Sequence, residues 1–171
     1  MTNLETSSDK IQVRIVLRRD DDDERSGGEC VWAQPVHERP GQYMIRNNAF
    51  EASLRIEDVV RTELDGCGMP QVVEIVNLHP GPVTMVQTPQ GISSDEVGRI
   101  ADSWRALGSE YSEGGWGLLV TAWKAGVTEQ SIGEVIGATA PGWHRARTRW
   151  RWNSSCSNVC LLLTRWTRTT G

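Results

Sequence analysis

The sequence predicts an α+β protein made of two units in tandem. Residues 11–76 hold five or six short segments of alternating or β-branched character, separated by turns rich in Gly, Pro and Asp. Residues 83–138 run in the order strand, helix, strand, strand, helix. Between the two patterns stands His79-Pro80-Gly81-Pro82, whose prolines restrict the backbone and mark a short joint. A chain of 171 residues with 38% hydrophobic residues and 17 glycines can bury a core of ordinary size, which excludes wholesale disorder and fibrous architectures.

In the first unit, residues 11–18 (IQVRIVLR) place Ile11, Val13, Ile15 and Leu17 on one side of a half-buried strand. The five acids at 20–24, followed by Arg25-Ser26-Gly27-Gly28, predict an exposed loop. Residues 30–36 and 42–46 flank Pro40-Gly41 and read as a hairpin. Residues 51–58 show neither period. Residues 59–64 and 71–76 read as two further strands joined by the turn Asp65-Gly66-Cys67-Gly68-Met69-Pro70. Strands this short and this few suit an SH3-like barrel over residues 9–79 rather than a sandwich, with residues 1–8 disordered.

The second unit, residues 82–140, opens with a strand at 83–87. Ser93-x-x-Glu96 then forms a capping box, because a hydroxyl and a carboxylate at that spacing can satisfy the free amides of a helix start. Val97, Ile100, Ala101, Trp104 and Leu107 fall on one helical face, and Gly108 stands where the helix should stop. Residues 110–113 and 117–123 read as two strands about a turn at Gly114-Gly115, and Thr128 caps a second helix that turns Ile132, Val135 and Ile136 inward. This βαββα order is ferredoxin-like but lacks a clear last strand. Where that strand should fall, the composition changes abruptly to a basic Arg/Trp tail, residues 141–171, which reads as irregular or as a segment translated out of frame.

The charge follows the same division. Residues 144–171 contain six arginines and no acid, whereas residues 1–143 hold 12 basic and 22 acidic side chains, a net charge of −10. An acidic body repels a phosphate backbone, so nucleic-acid contact is expected only from the tail, through Arg145, Arg147, Arg149 and Arg151 with Trp150 and Trp152 as stacking groups. The same residues would suit a membrane surface. No run is long and apolar enough to span a bilayer, the first ten residues lack the core of a signal peptide, and a cytoplasmic location is the expectation. The cysteines, Cys30, Cys67, Cys156 and Cys160, offer one close pair and no second pair of ligands, so no metal or other cofactor is expected, and Cys30 is expected to be a buried free thiol.

Glu29-Cys30-Val31-Trp32-Ala33, Gly41-Gln42-Tyr43-Met44-Ile45, Asn48-Ala49-Phe50 and Glu57-Asp58-Val59-Val60 occur in an order that resembles the bacterial domain-of-unknown-function family 4265. The resemblance extends over about residues 11–138. It departs from the family pattern at Ala49, where a proline is expected before Phe50, and from Trp143 onward. It implies the two-unit architecture and a bacterial source, and no activity.

Trp32, Tyr43 and Phe50 are candidates for a shallow aromatic groove of the kind small barrels use to hold peptides; the competing reading makes them core. Asn48 is expected to cap a turn, and Asp58 to open a strand or pair with Arg61; with the aromatics they make up the candidate binding set. The pairs Cys30 with His37 and Cys67 with His79 are too weakly indicated to make a nucleophile and its base, and Gly114-Gly115-Trp116-Gly117 leads into no helix that could hold a phosphate. The reading is therefore a binding or regulatory protein, not an enzyme, that recognises a protein or small ligand. A homodimer through an open sheet edge is a corollary. The alternative is a nucleic-acid-binding protein acting through the Arg/Trp arm.

Overall fold

The computed structural model describes residues 10–17, 27–52 and 54–149. The acidic run at 20–24, Cys156, Cys160, and Trp150, Arg151 and Trp152 of the tail lie outside the described residues. The fold is α+β. Five strands, β1 (Ile11–Leu17), β2 (Gly27–Pro35), β3 (Gln42–Ile45), β4 (Val59–Leu64) and β5 (Pro70–Asn77), close in sequence order into a barrel. They pair antiparallel, except where β1 meets β5 in parallel to shut the ring.

The alternation in β1 buries Val13 and Ile15 completely, and the same period in β2 buries Val31 and Ala33. Ile45, Val60 and Val72 complete the wall. The centre is filled by Ala49, Ala52 and Leu54 from residues 46–58, of which the described ones belong to no strand or helix. That explains their lack of period: a plug is packed on several sides and needs neither 2.0 nor 3.6. Cys30, expected to be buried, is exposed, since it alternates with the inward Val31.

The second unit is a four-stranded sheet in the order β7 (Ser109–Gly115), β8 (Leu118–Trp123), β6 (Val83–Gln87), β9 (His144–Arg149), with helices α1 (Ser94–Arg105) and α2 (Glu129–Thr139). Both caps lie where the sequence places them, but the reciprocal box is at Thr128 and Ser131, whereas at the first helix Ser93 Oγ accepts from the Glu96 amide as one half of the expected box. On the helix side Trp104, Val86, Leu119, Trp123, Ile132 and Ile136 form the core, with Trp104 stacked on Trp123 at 5.7 Å. Both indole nitrogens find hydroxyls, Trp104 on Thr139 and Trp123 on Thr84. On the other side Val83, Met85 and Val120 pack against Phe50 of the barrel plug. β6 and β8 are thus covered on both faces, which is why LLVTAW reads as a continuous apolar run.

Four expectations are corrected. The missing last strand is present: β9 pairs antiparallel with β6, from His144 opposite Gln87 to Arg149 opposite Val83. It lies in the segment read as an irregular tail, where arginines alternating with Ala146 and Thr148 have the two-residue period of a strand. Trp143, also in that tail, packs edge-on against Trp104 at 6.3 Å. The β6 edge expected to be open for dimerisation is therefore occupied. Leu107 follows the end of α1 and is exposed rather than inward. The β7–β8 turn is Trp116-Gly117, with φ of 51° and 73°, not Gly114-Gly115. Gly115 serves packing instead, because a Cβ there would come within 3.3 Å of the Phe50 ring.

Candidate functional site

The plug meets the β7–β8 hairpin along a polar seam. Asn48, fully buried, donates through Nδ2 to the Val120 carbonyl at 3.3 Å and accepts at Oδ1 from the Ile56 amide at 3.2 Å. Rather than a local turn amide, it holds Ile56 eight residues on, and it ties that segment to the sheet. Removing these bonds, and the one that Nδ2 also donates to the Tyr111 carbonyl at 3.5 Å, should leave buried groups unpaired, so Asn48→Ala is expected to lower stability by about 1–3 kcal/mol in urea denaturation.

Two carboxylates line the seam. Glu29, at the start of β2, accepts from three successive amides, Phe50 at 2.6 Å, Glu51 at 2.9 Å and Ala52 at 3.1 Å. Glu113, on β7, accepts from the Asn48 amide at 3.1 Å and from Asn47 Nδ2 at 3.5 Å. Asn47 Oδ1 in turn accepts from the Trp32 amide at 2.7 Å. Burial, together with the charge of Glu29, holds the Glu113 carboxyl above its ordinary value of 4.5, against two hydrogen bonds that lower it. Burial, and then the Glu113 charge, raises the Tyr111 phenol.

Because the folded protein holds the Glu113 proton more tightly than the unfolded chain, this group makes stability fall as pH rises from about its ordinary value through its raised one. Glu113→Gln is expected to flatten that part of the stability profile in denaturation followed from pH 4 to 7. Asp65, held low by the Met69 and Cys67 amides, acts in the opposite sense and below its ordinary 3.8, so the two windows separate.

Aromatic side chains are exposed at the hairpin tip and on β2. Trp116 at the hairpin tip is 86% exposed, its ring edge-on to Phe50 at 5.0 Å. Trp32, on the outer face of β2, is 47% exposed. Tyr43 opposes Pro35 and packs against the barrel core. The three aromatics read from the sequence thus lie in three places: Phe50 in the core between the units, Tyr43 at the barrel core, Trp32 at the surface. They do not line one groove. Asp58, buried, accepts from the Arg55 and His79 amides at 2.8 and 2.9 Å, while Arg61 pairs with Glu74 and Glu63. Arg145, Arg147 and Arg149 lie on β9.

Sequence reasoning missed Glu29, Asn47, Glu113 and Trp116 as one group. Only Trp116 carried a local signal, a bulky residue before glycine at a two-residue turn. Asn47 and Glu113 meet across 66 residues, and Glu29 reaches amides 21 to 23 residues along the chain.

No family model matches the chain, and no curated protein does. A solved structure described as a novel crystal structure of a hypothetical protein from Neisseria gonorrhoeae is similar in fold, with a TM-score of 0.57 and 12% identity over 85% of this chain and 96% of that one. That likeness shows the fold alone. No helix among the described residues is long and apolar enough to cross a membrane.

Proposed function

We propose that the chain is a non-catalytic binding or regulatory protein that recognises a protein segment or small ligand at the seam, with Trp116 as anchor. Exposure of Trp116 carries this reading: a large apolar ring kept in solvent gives little to the fold, whereas buried tryptophans dominate recognition surfaces. Phe50 steadies the ring. Strand order supports a finer reading of the architecture, an SH3-like barrel before a ferredoxin-like unit, since β9-β6-β8-β7 is the order of a split βαβ pair. Membership of the domain-of-unknown-function family 4265 and a cytoplasmic location belong to the same proposal.

Trp116→Ala is expected to cost about 1 kcal/mol, the edge-on ring contact, and to abolish binding. A fragment and peptide screen followed in ¹H–¹⁵N spectra tests the reading: hits should cluster on Trp116, Asn47, Asn48 and Trp32 and vanish in Trp116→Ala. Hits that map elsewhere, or survive the substitution, would refute it.

The charge split favours a second reading, nucleic-acid binding through Arg145, Arg147, Arg149 and Arg151. Affinity for a duplex that falls steeply with salt would support it. Pairing of residues 144–149 with β6 makes the seam the preferred surface, because those residues are strand rather than a free arm.

A further inference from the structure

Resting on the seam as the binding surface, we infer that its partner presents an arginine or lysine side chain, whose charge meets Glu113 while its flat or aliphatic part lies on Trp116. The two acids of the seam differ in what they have left to offer. Glu29 is occupied by three amides. Glu113 receives only an amide at 3.1 Å and a side-chain amide at 3.5 Å from the described residues, so much of its acceptor capacity remains. It pairs with no arginine or lysine among the described residues, unlike Asp65, Glu63, Glu74, Asp102 and Glu110.

Geometry sets the acid beside the ring. Glu113 and Gly115 lie on one face of β7, about 7 Å apart along the strand, and Phe50 fills the space over Gly115 with Trp116 against its edge. A long cationic side chain bonded to the Glu113 carboxylate can therefore extend along this face toward the indole, and a guanidinium is suited to both, forking onto the carboxylate and stacking on the ring. The net charge of the whole chain, −4, agrees in sign.

Three blocked glycine-flanked peptides that differ only at a central arginine, citrulline or glutamate test the inference, read from the Trp116 indole N–H in ¹H–¹⁵N spectra. The arginine peptide should shift that signal saturably. Citrulline, which keeps the shape without the charge, should bind about tenfold more weakly, and Glu113→Gln should weaken the arginine peptide by a similar factor. The glutamate peptide should not bind. Equal binding of arginine and citrulline, or of arginine to wild type and Glu113→Gln, overturns the cation while leaving a docking surface in place. No shift from any peptide at millimolar concentration overturns both.

Discussion

Gly81→Ala is expected to leave the protein largely unfolded under conditions where the wild type is native. An added Cβ would lie 1.9 Å from the Trp123 carbonyl oxygen and 2.5 Å from Arg55 Nη1, and neither can yield. The carbonyl belongs to the last residue of β8, whose own amide is held by the Pro82 carbonyl at 2.9 Å. Arg55 is fully buried and bonded at three of its nitrogens. Relief would require the joint between the barrel and the sheet to separate, and overpacking that displaces backbone stands among the severest single changes, about 4 kcal/mol or more. Gly66→Ala is the control: a Cβ there meets nothing within 4 Å, so its stability should remain within about 0.5 kcal/mol of wild type. Far-ultraviolet circular dichroism and urea denaturation of the pair check both outcomes.

The second large effect is expected at Arg55. Its guanidinium donates to the Trp123 carbonyl at 2.9 Å and the Ile56 carbonyl at 3.1 Å, and pairs with Glu110. Arg55→Met keeps the aliphatic volume, strands the buried Trp123 carbonyl and leaves Glu110 without its cation. Breaking a buried pair costs about 3–5 kcal/mol, and because the Glu110 side chain is 28% exposed the lower end applies. Arg55→Lys should recover only part of the loss, since an ammonium cannot reach three acceptors lying in different directions. A urea midpoint for Arg55→Met equal to that of wild type would show that this residue does not join the two units.

Much of the fold was legible in the sequence where local period and local chemistry agree. Val13 and Ile15 alternate, Trp104 falls on a helical stripe, and Ser93 and Thr128 sit before their helices; each of these signals is decided within one element. The plug was not legible, because Ala49, Leu54 and Arg55 answer to partners far along the chain. β9 was hidden for a different reason: its alternation is of arginine with small residues, and the change of composition outweighed the period. The hairpin turn was misplaced because two glycines mark a turn by default, whereas here Gly115 makes room for Phe50 and the turn forces Trp116 into the left-handed region. The candidate site suffered most. Of the residues singled out, Asn48 and Phe50 build the seam, Trp32 borders it, and Tyr43 and Asp58 belong to the barrel core and the loop.

The seam as a binding surface is tested most directly by titrating the arginine peptide into wild type and Trp116→Ala while measuring the urea midpoint of each. A midpoint lowered by no more than the roughly 1 kcal/mol of the lost ring contact is expected for the variant, with saturable binding to wild type and none to the variant. Equal affinities for the two proteins would contradict it.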